Sequence, residues 1–239
     1  MAHRVSLVAL VFAVMLCGTQ SAKAHYPWIK IDGNEGKHGT VLFYFEHAPK
    51  PGDGAYLDPF IERGTFWATS PSDDPQEIEL ADTKEGKLRW LQAELTAPSP
   101  RGVDLYTKWG VYRYGKTDTL LQYYARHIDA RDAEAVSKLA PSKNLKLQLQ
   151  PALVDGELSV RATWDGEPLA NQEIALRSPR VAKSFKTNDD GVAIIPVDHG
   201  GQYGLRTKMV VKQPGEFGGK AYEEVHHHAT LLMVLKAPE

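Results

Sequence analysis

The sequence predicts a mainly β fold built of two β-sandwich-like parts, the C-terminal one immunoglobulin-like, with one short helix between them. Three observations predict it. Short runs of β-branched and aromatic residues dominate the first half. Apolar and polar residues alternate with period two through the second half, as on strands with one buried face. Turn-forming clusters recur about every 8–12 residues, the spacing of all-β domains.

The first element reads as a targeting segment. Arg4 supplies a positive n-region, and residues 5–16 form an apolar run suited to a signal-peptide core and too short to span a membrane. Ala22-Lys23-Ala24 places small residues where a signal peptidase inspects the chain. Residues 1–24 are therefore expected to be a signal peptide, with export to the periplasm or beyond and a mature chain starting at His25. The single cysteine, Cys17, falls inside this segment, so the mature chain is expected to fold without a disulfide.

Residues 25–141 read as an N-terminal β-rich domain. Thr40-Val41-Leu42-Phe43-Tyr44-Phe45 is a buried-strand run between Gly39 and the Pro- and Gly-containing stretch 49–54. Phe66-Trp67-Ala68-Thr69 is a short strand stopped by residues 70–75. Ile78 and Leu80 alternate with Glu77 and Glu79. Residues 90–95, 108–114 and 120–126 continue the pattern. Residues 129–139, rich in Ala, Glu and Lys and stopped by Pro141, are the expected helix.

Residues 142–239 read as the immunoglobulin-like sandwich. Leu145, Leu147 and Leu149 alternate with Lys146, Gln148 and Gln150, and Leu158, Val160 and Ala162 with Ser159, Arg161 and Thr163. Ile174 and Leu176, then Val192 to Ile195, Tyr203 and Leu205, and finally Thr230 to Leu235 supply further strands. Asn188-Asp189-Asp190-Gly191 reads as a hairpin turn; it lacks the spaced acidic ligands and distal Glu of a calcium loop.

Composition excludes several functions. Removing residues 1–24 takes Arg4 and Lys23 away, so 28 basic residues become 26 against 30 acidic ones. That balance, without a basic cluster, does not suit nucleic acid. No later apolar run reaches the roughly 18 residues of a membrane span. Thiol catalysis needs a cysteine, and no G-x-S-x-G elbow, P-loop, H-E-x-x-H or dinucleotide glycine pattern occurs.

Histidine carries what chemistry the sequence offers. An N-terminal His25 presents its α-amine and its own Nδ1, a chelate suited to nickel, cobalt, copper or zinc. His226-His227-His228 precedes an apolar strand. Alternation would turn His226 and His228 one way and His227 the other. Glu46-His47, at the end of the first aromatic strand, adds a carboxylate and an imidazole that can ligate or orient. His38, His127 and His199 stand alone and read as surface or hydrogen-bonded residues.

The chain also resembles the exported domain-of-unknown-function 4198 (DUF4198) family. The resemblance runs through Ala24-His25-Tyr26-Pro27-Trp28-Ile29, Phe43-Tyr44-Phe45-Glu46-His47, Trp109-Gly110-Val111-Tyr112, Tyr123-Tyr124-Ala125, Gly191-Val192-Ala193, Pro214-Gly215-Glu216, Gly219-Lys220-Ala221-Tyr222 and Val225-His226-His227-His228-Ala229-Thr230-Leu231. It implies a periplasmic partner of nickel or cobalt uptake, with membrane components of a transporter as its partners. The family's closing pattern V-x-H-x-A-T-L falls on His227, its strand-end glutamate on Glu46 and its post-cleavage histidine on His25. The expectation is a divalent transition-metal protein binding nickel or cobalt, with copper or zinc as alternatives. The ligand candidates are His25, Glu46, His47, His226, His227 and His228. Two other readings stay open: a copper histidine-brace oxidative enzyme, and a metal-free binding module of the cell envelope.

Overall fold

The computed structural model describes residues 25–130, 132–139, 141–178, 180–197 and 199–236. The expected signal peptide, residues 1–24, lies outside them. Strands β1 (Tyr26–Asp32) and β2 (Thr40–Glu46) open the fold, followed by helix α1 (Asp58–Arg63). Then come β3 (Thr65–Thr69), β4 (Gln76–Ile78), β5 (Ala81–Glu85), β6 (Leu88–Glu94), β7 (Arg101–Tyr114) and β8 (Thr117–Asp129). Helix α2 (Ala133–Ser137) leads into β9 (Leu147–Val154), β10 (Glu157–Trp164), β11 (Glu167–Pro168), β12 (Glu173–Arg177), β13 (Ala182–Lys186) and β14 (Val192–Ile195). β15 (Gly201–Val211), β16 (Gly215–Phe217), β17 (Lys220–Tyr222) and β18 (Glu224–Leu235) complete it.

The fold is mainly β, and its sheets pack as sandwiches. An eight-stranded sheet, ordered β13-β12-β15-β18-β8-β7-β3-β4, is the shared wall. Against one end of it lies the sheet β1-β2-β6-β5. Ile29, Val41, Phe43, Phe45 and Leu91 pack there on Phe66, Val103, Leu105 and Tyr123. Against the other end lies the sheet of β9, β10, β11 and β14. Leu149, Leu158, Val160 and Ile195 meet Ile174, Leu176, Tyr203, Leu205 and Leu231 there. Each core holds the apolar members of the alternating runs, because a strand with one buried face must place them on that face.

The wall crosses the boundary expected near Pro141. β18 pairs in parallel with β8, from Glu224 opposite Thr119 to Met233 opposite Ile128, and antiparallel with β15. Hydrogen bonding therefore runs unbroken from one half of the chain to the other, while each half keeps its own apolar core. No local pattern announces a parallel neighbour, since both faces of such a strand are covered. All of β18 from Val225 to Met233 is buried accordingly.

Three local expectations need correction. The helix expected over residues 129–139 is only five residues long. Asp129 belongs to β8, and Asp132 caps α2 by accepting from the Ala135 N–H at 2.8 Å. A second helix, α1, sits in the first half, with Pro59 in its first turn and Phe60 buried. β1 itself falls on residues read above only as a motif. The turn at residues 188–191 is as expected: Asn188 Oδ1 accepts from the N–H of Asp190 and of Val192, and Gly191 has φ +73°.

Candidate functional site

β1 is an edge strand, and its first residues lie over the wall near β18. Trp28 packs with Tyr44 and Leu232, and its indole N–H donates to the Glu46 carbonyl at 3.0 Å. The Thr230 hydroxyl donates to the Pro27 carbonyl at 2.6 Å. Pro27 has no N–H for the ladder, and a place on an edge strand is where it is tolerated. These contacts fix where the chain emerges at His25.

There three of the expected residues meet. His25 Nε2 is 3.6 Å from Glu46 Oε2, and the His25 and His47 ring centroids are 4.3 Å apart. Tyr56 stands edge-on to His25 at 5.2 Å, and Phe45 lies beneath it at 5.7 Å. Antiparallel pairing of Tyr26 with Glu46 brings the start of β1 to the end of β2. Burial and the neighbouring His47 push the His25 imidazole below its ordinary pKa, against the pull of Glu46 and Asp53. A neutral imidazole is the form that binds a metal.

The loop after β2 is shaped to the carboxylate. A β-carbon at Gly52 would fall 1.8 Å from Glu46 Oε1, so a side chain there would displace the carboxylate or the loop. The Gly52 carbonyl accepts from the Arg89 N–H at 2.9 Å. The Arg89 guanidinium grips Asp82 through two bonds, at 2.8 and 3.0 Å, and Asp58 at 2.8 Å. This clamp ties α1 and the loop to the β5–β6 hairpin. Beyond His47 a cleft of about 280 Å³ opens between Trp28 and Pro49 on one side and Arg177, Gln202 and Gly204 on the other.

The triplet divides as period two requires. His227 meets Trp164 at 4.5 Å and the Tyr124 hydroxyl at 3.2 Å, toward β10. His226 and His228 face the other way, where Tyr114 and Tyr123 stack on them. So His227, the position singled out by the resemblance, lies on the opposite face of β18 from its neighbours. Burial pushes His227 down to about 4 and His228 to about 3, with nearby charges adding to burial in each.

Among the described residues, no group of three or more His, Cys, Asp and Glu is arranged to hold a metal ion through side chains alone. His25, Glu46 and His47 form one cluster and His226 with His228 another. Phe45 and Tyr123 stand between, in ring contact with each other at 5.1 Å. The donors at the first cluster fit a borderline transition metal in type: two imidazoles and one carboxylate. Glu224, Tyr56, Gly52 and Asp53 were not singled out from the sequence. Glu224 had a usable signal, because a residue two before His226 on a strand shares its face.

No protein-family model matches the chain, and no curated protein matches it. Among solved structures it is similar to the crystal structure of the chicken CNTN1 FN1-FN3 domains, at 9% identity and a TM-score of 0.24. That match covers 89% of this chain and 66% of the other. Among the described residues no helix is long and apolar enough to cross a membrane.

Proposed function

We propose that this is an exported, periplasmic protein of the domain-of-unknown-function 4198 kind. It binds one divalent transition-metal ion, nickel or cobalt, and presents it to the membrane components of an uptake system. The observation that carries the reading is the meeting of His25, His47 and Glu46 at the junction of β1 and β2. Cleavage after Ala24 gives His25 a free α-amine. The cluster then offers an amine, two imidazoles and a carboxylate, a donor set that nickel, cobalt, copper and zinc accept. The ion would be held by His25 and His47, with Glu46 ligating it or orienting an imidazole. Placement at the mouth of a cleft suits a carrier, since the cargo must leave toward a partner.

The same two imidazoles and amine are also the donors of a copper brace, and the cleft beside His47 gives that enzyme reading a place for substrate. Reductant-driven oxidative turnover by the copper-loaded protein would favour it over the carrier.

The deciding experiment is metal titration of the exported protein after intact mass has established its first residue. Nickel or cobalt should bind one to one at this site. His25→Ala and His47→Ala should each lose most of the affinity, and Glu46→Gln should weaken it by about 10–100-fold, as for residues that orient ligands. Unchanged affinity in His25→Ala, with correct processing, removes the proposal.

A further inference from the structure

His226 and His228 make a second arrangement that the His25 cluster does not use. Their ring centroids are 6.2 Å apart. Both residues are almost fully buried, at 6% and 8% exposure. His226 Nδ1 and both ring nitrogens of His228 have no hydrogen-bond partner among the described residues. A buried ring nitrogen left without a partner is costly, and native cores seldom gather three in one place.

The fourth nitrogen has a different role. His226 Nε2 lies 2.6 Å from Glu224 Oε1. A carboxylate that accepts from one ring nitrogen leaves the other with its lone pair free, which is how metal-ligating histidines are held in tautomer and orientation. Tyr114 stacks on His226 at 5.4 Å, Tyr123 on His228 at 5.2 Å, and Tyr26 meets His228 edge-on at 6.3 Å. Lys208, paired across the ladder with His228, adds a positive charge beside them.

These surroundings choose the ion. Only two protein nitrogens are on offer, whereas zinc sites take four ligands. Lys208 and Arg206 set two cations near these buried rings against the one carboxylate of Glu224, so each further positive charge is costly there. A monovalent ion content with two nitrogen ligands is favoured on both counts, and copper(I) is that ion. The 6.2 Å between the centroids is short enough for one nitrogen of each ring to reach a shared ion at about 2.0 Å.

We infer that His226 and His228, with Glu224 orienting His226, form a second metal site that takes copper(I). It is separate from the cluster at His25: the rings of Phe45 and Tyr123 lie between, His25 to Phe45 at 5.7 Å and Tyr123 to His228 at 5.2 Å. The inference therefore stands whether or not nickel binds at His25.

The test titrates copper(I) without oxygen, in competition with a chromophoric copper(I) chelator, into the full exported chain carrying His25→Ala and His47→Ala. One equivalent should still be taken up. Adding His228→Phe, which keeps an aromatic ring in the stack, should abolish that equivalent while leaving the circular dichroism unchanged. Adding Glu224→Gln instead should weaken it by about 10–100-fold. Should the phenylalanine variant not fold, silver(I) titration of the unsubstituted protein decides, read by nitrogen NMR of the histidine rings. His226 and His228 should then shift, and His227 should not. No copper(I) uptake in the His25/His47 variant, or silver shifts confined to other histidines, overturns the inference.

Discussion

The Thr230 hydroxyl donates to the Pro27 carbonyl at 2.6 Å, and both groups are buried. This one bond joins the first strand to the last. Pro27 is two residues from His25, and Thr230 is two from His228. Each histidine cluster thus takes its position partly from the strand that carries the other. The cation of Arg206, on the neighbouring strand β15, lies over the Tyr26 ring, 4.3 Å from its centroid, and ties β1 to the wall a second time.

Thr230→Val keeps the shape and removes the donor. It leaves the Pro27 carbonyl without this partner, at a cost of about 1–3 kcal/mol. Urea unfolding should show that loss. Nickel affinity should fall as well, because the start of β1 loses an anchor. Stability lost with metal affinity intact would mean that the β2 ladder, Trp28 and the Arg206–Tyr26 contact hold the start of β1 without this bond.

Gly52→Ala should act on the site more than on the fold. The added methyl meets Glu46 Oε1 at 1.8 Å, so the carboxylate or the loop must move. The expected outcome is metal affinity reduced about 10-fold or more, in the range for disturbed orienting groups, with the melting temperature of the apoprotein falling by a few degrees at most. Calorimetric titration beside a thermal melt separates the two effects.

Acid should destabilise the apoprotein over a defined window. Folding lowers His127 and His228 to about 3 and His227 to about 4, from an ordinary 6.5, and burial is the main cause each time. Below pH 6.5 the unfolded chain therefore binds protons that the folded chain refuses, and stability falls with pH until the folded values are reached. Above about pH 7.5 these groups contribute no slope. Urea unfolding with chelator present, at pH 7.5 and 5.0, should give the lower stability at 5.0. His127→Gln should narrow the difference. A flat profile would mean that these imidazoles are protonated in the folded state.

Within the wall, Asp104 and Arg126 form an ion pair at 3.3 Å, at 0% and 2% exposure. Burial raises the Asp104 carboxyl, and Arg126 opposes that rise. Arg126→Met should cost about 3–5 kcal/mol, because it leaves a buried carboxyl without its cation. The double change Asp104→Leu with Arg126→Met should be nearer the parent. A single variant no worse than the double would show that solvent reaches the pair.

How much of this was legible varied with the range of the interaction. Alternation placed the strands around Leu158, Ile174 and Val192 because one buried face imposes period two. The same rule divided His226 and His228 from His227. The pairing of β18 with β8 was not legible: parallel partners about a hundred residues apart leave no local trace. The junction of His25 with Glu46 and His47 was suggested only by residue type. Its geometry depends on the register of Tyr26 against Glu46, which no spacing within either strand encodes. Gly52 was read as turn punctuation, and its closeness to Glu46 emerges only in three dimensions.

The continuous wall makes a last prediction about the C-terminal half alone. A fragment from residue 132 onward keeps α2 and nearly all of the core around Leu149, Leu158, Tyr203 and Leu231. It should melt cooperatively and show a β-type circular dichroism spectrum. It lacks β8, however, so β18 becomes an edge strand with a row of unpaired backbone groups, which is a template for association. The face that Trp28 and Tyr44 cover at Leu232 is bared at the same time. Sedimentation velocity should therefore find concentration-dependent association of the fragment beyond any that the whole chain shows at equal concentration. Leu232→Lys within the fragment sets a charge on the bared face and should restore the monomer, as charges do on natural edge strands. A fragment that stays monomeric without that change would mean that β18 does not depend on β8 for its pairing. A coil-like fragment would mean that the two cores fold only together.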